Sequence, residues 1–134
     1  MRERPTGDQL LEAALSLLRD EVLPALPTEK RHAALMIANA MGIAMRQLRN
    51  GDAPEQQELA ALERILLAQP GNDAGPVPSD AQDRLLDLNR RLCLAIRQGH
   101  ADSVKPNDSV RGHLLRVARH RVAESNPKYL GGGD

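Results

Sequence analysis

Residues 33–45 read AALMIANAMGIAM, thirteen residues with a single polar side chain, Asn39. Seven positions to either side stand His32 and Arg46. An α-helix turns about 100° per residue, so positions seven apart fall almost on one line. The stretch therefore predicts a helix with an apolar barrel and one narrow polar seam, His32–Asn39–Arg46. Its broad apolar surface marks it as the expected hub of the fold. Along the seam, His32 and Arg46 are expected to meet water and Asn39 to touch another helix, because a buried Asn left without a hydrogen bond costs about 1–3 kcal/mol.

Four more helices follow from the flanking sequence. Thr6–Gly7–Asp8–Gln9 fits a capping box and opens the first, with Leu10, Leu11, Ala14, Leu15, Leu18 and Val22 at helical spacing. Pro24 and Pro27 are expected to end it, since proline lacks the N–H and clashes with the preceding turn. Thr28 is the expected cap of the seam helix, and Asn50–Gly51 its stop. A shorter third helix starts at Asp52–Ala53–Pro54–Glu55, carries Leu59, Leu62, Ile65 and Leu66, and closes at Pro70–Gly71. The stretch Gln69–Ser79 reads as a loop. Ser79–Asp80–Ala81–Gln82 is another capping box and opens a fourth helix with Leu85, Leu88, Leu92, Cys93 and Ile96 inward, ending at Gly99. His100–Asn107 is irregular. Asn107 or Asp108 caps a fifth helix facing inward with Val110, Leu114, Val117, Ala118 and Val122. Asn126–Pro127 ends it, and Tyr129–Leu130 is expected to fold back on the bundle. No segment alternates with the period of a strand. The expected fold is all-α, a bundle of four longer helices plus one short helix, with residues 1–130 one domain and 131–134 a disordered tail.

Composition agrees. In 134 residues there is no Phe, no Trp and one Tyr, so aliphatic side chains must fill the core, which suits close helix packing better than a sheet. The 18 basic and 18 acidic residues cancel, which removes a general pull toward nucleic acid or an anionic membrane. No apolar run approaches the ~18 residues of a membrane span, and the N-terminus lacks a signal-peptide pattern, so a cytoplasmic protein is expected. The single cysteine, Cys93, lies in an apolar stripe where an inert buried thiol belongs.

Three patterns bear on function. The seam His32, Asn39, Arg46 offers a titratable ring, an amide and a planar cationic fork, a set able to hold an acyl or phosphorylated metabolite, or simply to face water. The last helix carries Arg111, His113, Arg116, Arg119, His120 and Arg121 before its first acid, Glu124. His113, Arg116 and His120 share one face at i, i+3 and i+7. That face suits an anion or an acidic partner patch, or is a solvated surface helped by the helix dipole. Glu29–Lys30–Arg31–His32 has the Glu-x-x-His spacing of di-iron bundles, but no second copy occurs and no metal site is expected. Nor is there a nucleophile elbow, a phosphate loop or a dinucleotide fingerprint, so neither catalysis nor a cofactor is expected.

Three stretches taken in order, DEVLPALP at 20–27, ALMIANAMGIAMRQL at 34–48 and SNPKYL at 125–130, resemble a small bacterial all-helical family catalogued as a domain of unknown function. Where that pattern ends its second stretch in Arg-Glu-Leu, this chain has Arg46–Gln47–Leu48, so no role for the acid carries over. Members of the family are often encoded beside aminoglycoside-phosphotransferase-like kinases and acyl-CoA dehydrogenases. The resemblance implies a partner, a phosphotransferase-like kinase acting in acyl or alcohol metabolism. The expectation is then a non-catalytic accessory protein that docks through its basic last helix or an exposed apolar patch, and that pairs with itself as a homodimer. The alternative is a small-molecule binder using the seam.

Overall fold

The structure, a computed structural model, describes residues 4–68, 78–99 and 108–131. Its helices are α1 (Gly7–Leu17), α2 (Thr28–Asn50), α3 (Ala53–Leu67), α4 (Ala81–Arg97) and α5 (Asp108–Ser125), followed by a 3-10 turn at Pro127–Tyr129. No strand occurs among the described residues, and the protein is all-α. The predicted loop at 69–79 lies outside the described residues as far as residue 77, as do His100–Asn107 and 132–134. Contacts gather into two compact units, Met1–Gly51 with Val122–Asp134, and Asp52–Arg121.

In the first unit α1 and α2 form an antiparallel hairpin. Gln9 accepts the Thr6 N–H at 3.0 Å, the returning half of the expected capping box. Pro24 does not stop the helix. The chain passes through a π-helical turn, Leu18–Val22, where the Leu23 N–H reaches the Leu18 carbonyl, and then a short α-turn, Leu23–Ala25. The wider turn makes room for the proline ring and absorbs the hydrogen bond it cannot donate. At the junction Thr28 is the first helical residue rather than the cap. Pro27 takes that place with extended backbone, and Arg31 donates to the Leu26 carbonyl at 3.2 Å. Gly51 ends α2 at φ 57°, a conformation open to glycine, with its N–H on the Gln47 carbonyl.

The hairpin does not make α2 a hub. Within its own length α2 buries only Ala34, Ala38 and Gly42, a stripe of small residues at i, i+4 and i+8, while α1 buries Leu15. Leu35, Met36, Ile37 and Leu48 are 52–56% exposed. Small inward residues let two backbones approach closely, and the large side chains then point away from the contact. Tyr129 and Leu130 do not fold back either; both are exposed.

The second unit has the denser core. Leu62, Ile65 and Leu66 of α3 pack on Leu92 of α4, with Leu85, Leu88 and Val110 of α5 partly buried against them. Asp80, not the Ser79 with which the expected capping box begins, caps α4, its carboxylate accepting from the N–H groups of Gln82 at 3.0 Å and Asp83 at 3.2 Å. Arg84 pairs with Glu63 across the two helices. Ala95 is buried, whereas Cys93 and Ile96 are exposed, so the thiol is not the core residue expected. Leu85, Leu88, Leu92 and Ala95 follow one stripe at steps of three and four, and Cys93 falls about 100° off it.

Because Leu62 is 0% exposed and Leu67 is 78% exposed, the two separate packing from composition. Leu62→Ala is expected to lose about 2–5 kcal/mol and Leu67→Ala under about 0.5 kcal/mol. Urea unfolding followed by circular dichroism checks both.

Candidate functional site

The polar seam of α2 does not converge. His32 is exposed as expected, but Asn39 is exposed as well and Arg46 is half-buried, so the helix contact expected of Asn39 is made by Arg46 instead. The reason lies on the edge of α2 beside the small-residue stripe. There Arg46 Nε donates to the Glu124 carbonyl at 2.5 Å, and Asn50 Nδ2 donates to the Glu124 carboxylate at 2.8 Å. The last carbonyls of a helix have no partner within it, and Arg46 satisfies one of those at the end of α5. Gly42 makes room for this: a Cβ there would stand 3.3 Å from the Arg46 guanidinium. Farther along, Arg49 bridges Asp8 at 3.2 Å and Glu12 at 2.8 Å on α1. The Thr6 hydroxyl, donating to Asp8, and then Arg49 hold the Asp8 carboxyl below its ordinary value.

The histidine face of α5 is real, but it looks inward. His113 is 1% exposed and His120 is half-buried, while Arg116 and Arg119 are exposed. The predicted apolar face Val110–Leu114–Val117–Ala118–Val122 is thus turned, leaving Leu114 exposed and bringing His113 among the core residues of the second unit. The neighbouring helices carry polar groups of their own. Glu58 of α3 keeps a side chain only 11% exposed, accepts from Asn89 Nδ2 of α4 at 3.2 Å and stands 3.6 Å from Arg121 Nη2 of α5. Asn89 also donates to the Leu85 carbonyl at 3.0 Å.

His113 Nε2 is buried without a hydrogen-bond partner among the described residues. Burial pushes its pKa down, Glu58 pulls the other way, and Arg116 adds to the lowering. The ring is therefore held neutral, because a buried imidazolium without a direct partner costs more than a neutral ring. Glu58 and Asn89 are residues that the sequence did not single out. Glu58 sits one turn before Leu62, and Asn89 one turn after Leu85, so both lie at core-facing positions of helices with apolar stripes. Among the described residues no group of three or more His, Cys, Asp or Glu is placed to hold a metal, and no helix is long and apolar enough to cross a membrane.

An all-α protein whose second unit encloses a histidine beside a carboxylate–amide pair is what the fold defines. The chain belongs to the family described as domain of unknown function DUF6285, whose model matches residues 24–129. The match takes in the last two of the three resembling stretches almost whole and the first from Pro24 onward. No curated protein and no solved structure matches the chain.

The neutral state of His113 has a consequence for stability. The unfolded chain takes up this proton near the ordinary pKa of about 6.5, the folded one only at lower pH. In between, the unfolded state binds more protons, so stability falls as pH drops below about 6.5 and levels off below the depressed folded pKa. The urea midpoint is expected to decline between about pH 7 and 5.5 in the parent chain and to decline less in His113→Gln. An unchanged slope in the variant contradicts the assignment.

Proposed function

We propose that this protein is a non-catalytic interaction domain, an accessory subunit acting in the cytoplasm with a phosphotransferase-like enzyme of acyl or alcohol metabolism. The observation that carries the reading is the outward face of α5. With His113 turned to the core, the opposite side of the helix presents Arg111, Leu115, Ala118 and Arg119, with Leu114 at its edge, all exposed. No acidic residue stands between Val110 and Ala123. A strip that is aliphatic along its middle and cationic along its margins suits a partner surface of acidic rim and apolar centre, since apolar contact supplies affinity and charge fixes orientation. The chain's zero net charge favours a protein partner over nucleic acid or an anionic membrane.

The class of partner rests on the resemblance, whose members are encoded beside kinase-like genes. The interaction reading rests on the α5 face alone. The seam draws less support as a ligand site, because Arg46 is engaged by Glu124 and the two remaining side chains lie on an open helix surface.

Co-expression with a phosphotransferase-like kinase of the same organism is expected to yield a complex that survives gel filtration at micromolar concentration. Arg111→Glu with Arg119→Glu is expected to weaken it at least tenfold, and the parent complex to weaken with added salt as exposed charge pairs do. Absence of association at micromolar concentration contradicts the proposal.

A further inference from the structure

The outer side of α5 has a pattern finer than its charge. Measured round the helix from the buried His113, Arg111, Leu115 and Arg119 stand at about 160°, 200° and 240°. These three follow steps of four, so they form one ridge with a leucine between two arginines. Leu114 and Ala118, at about 100° and 140°, form the adjoining ridge, which drops from a leucine to an alanine. All five are exposed. Among the described residues no acid pairs with Arg111 or Arg119, whereas Arg121, at about 80°, stands 3.6 Å from Glu58.

Two properties of this surface say what fits it. The backbone of a helix has already used its N–H and C=O groups, so an extended segment laid on α5 would leave its own unpaired. A second helix arrives with its backbone satisfied and with ridges of the same pitch, and one of its large side chains fills the step at Ala118. Charge sets the rest. Arg111 and Arg119 are separated by two turns, about 12 Å along the axis. A steep crossing touches only about one turn, so a helix that reaches both arginines lies nearly parallel to α5, in the class that crosses at about 20°. On such a helix, acids about seven or eight positions apart meet the two guanidinium groups, and an apolar residue midway meets Leu115. A nucleic acid suits the face less well, because its phosphates would have to cover Leu114 and Leu115. A bilayer gains little from two leucines and an alanine with no aromatic residue among them.

We propose that α5 binds an acidic amphipathic helix of a partner protein. Its carboxylates, about two turns apart, lie on Arg111 and Arg119, and its apolar residue between them packs on Leu115 and Ala118. This rests on the reading of α5 as an interaction surface and names the element that the surface takes. Contact along one helix face is small, so the complex is an exchanging one, with a Kd of roughly tens of micromolar.

Selection of helical peptides on the full chain tests this without reference to any enzyme. Peptides of about 20 residues, long enough to hold a helix and randomised on one face, are displayed on phage and selected on the parent chain. Arg111→Glu with Arg119→Glu serves for counter-selection. The recovered peptides are expected to carry Glu or Asp at two positions about two turns apart, with an aliphatic residue between. The best of them is expected to bind the doubly reversed variant at least tenfold more weakly, with the circular dichroism of that variant unchanged. The same peptide with lysine in place of its two acids is expected to recover binding to that variant. Arg111→Gln with Arg119→Gln provides the same reading should charge reversal disturb the fold. No enrichment, recovered peptides without the paired acids, or a peptide that both variants bind as the parent does overturns the proposal. So does binding of duplex DNA or phosphatidylserine vesicles as tight as that of the peptide. A kinase-like complex formed through α5 while no acidic helix is recovered overturns this inference and leaves the interaction reading standing. An acidic helix selected on α5 while no kinase-like enzyme associates overturns the choice of partner alone.

Discussion

The close approach of α1 and α2 over Ala34, Ala38 and Gly42 is the constraint from which the other features of the first unit follow. Three small residues on one line bring the backbones together and leave little inward volume to fill. The large aliphatic residues of α2 must then lie on its flanks and back. The same Gly42 clears the space in which Arg46 reaches the Glu124 carbonyl, so the stripe that joins α1 to α2 also positions the end of α5. A Cβ at Gly42 would crowd a guanidinium whose hydrogen bond satisfies an otherwise orphaned carbonyl.

The second unit follows another principle. Its core is ordinary aliphatic packing centred on Leu62, Leu66 and Leu92, but a histidine enters it. His113 is inward where the periodicity of α5 places Leu114, and Glu58 with Asn89 forms a polar pair on the neighbouring helices. A buried polar pair is tolerated where its members bond each other, which they do. The ring beside them stays neutral because water does not reach it. The result is a helix whose outer side is left to arginines and exposed leucines.

Much of the fold was legible in the residues. The helices, the Gln9 return bond and the Gly51 stop depend on local hydrogen bonding and backbone sterics, which neighbours in sequence determine. The second-unit stripe Leu62–Ile65–Leu66 was legible for the same reason. The orientation of α2 and α5 was not. A helix apolar nearly all round, as α2 is, has no periodic signal to say which side meets its neighbour, and the small residues that decide it look the same as filler. On α5 the apolar and histidine stripes are both helical in spacing, so the choice between them depended on packing against distant segments. Pro24 was misread because a proline's clash can be relieved by a π-turn as well as by ending the helix.

The central claim, that α2 turns its small residues inward and its large ones outward, is most directly tested by thiol accessibility. With the exposed Cys93 replaced by serine, single cysteines are introduced at Ala38, which is buried, and at Leu35, which is exposed. Reaction with a soluble disulfide reagent under native conditions then reports each position. The cysteine at 35 is expected to react at the rate of a free thiol. The cysteine at 38 is expected to react only through local opening of the hairpin, far more slowly, and to reach the same rate once the chain is unfolded in urea. A position 38 that reacts as fast as position 35 in the native protein, or a position 35 that is protected there, contradicts the account.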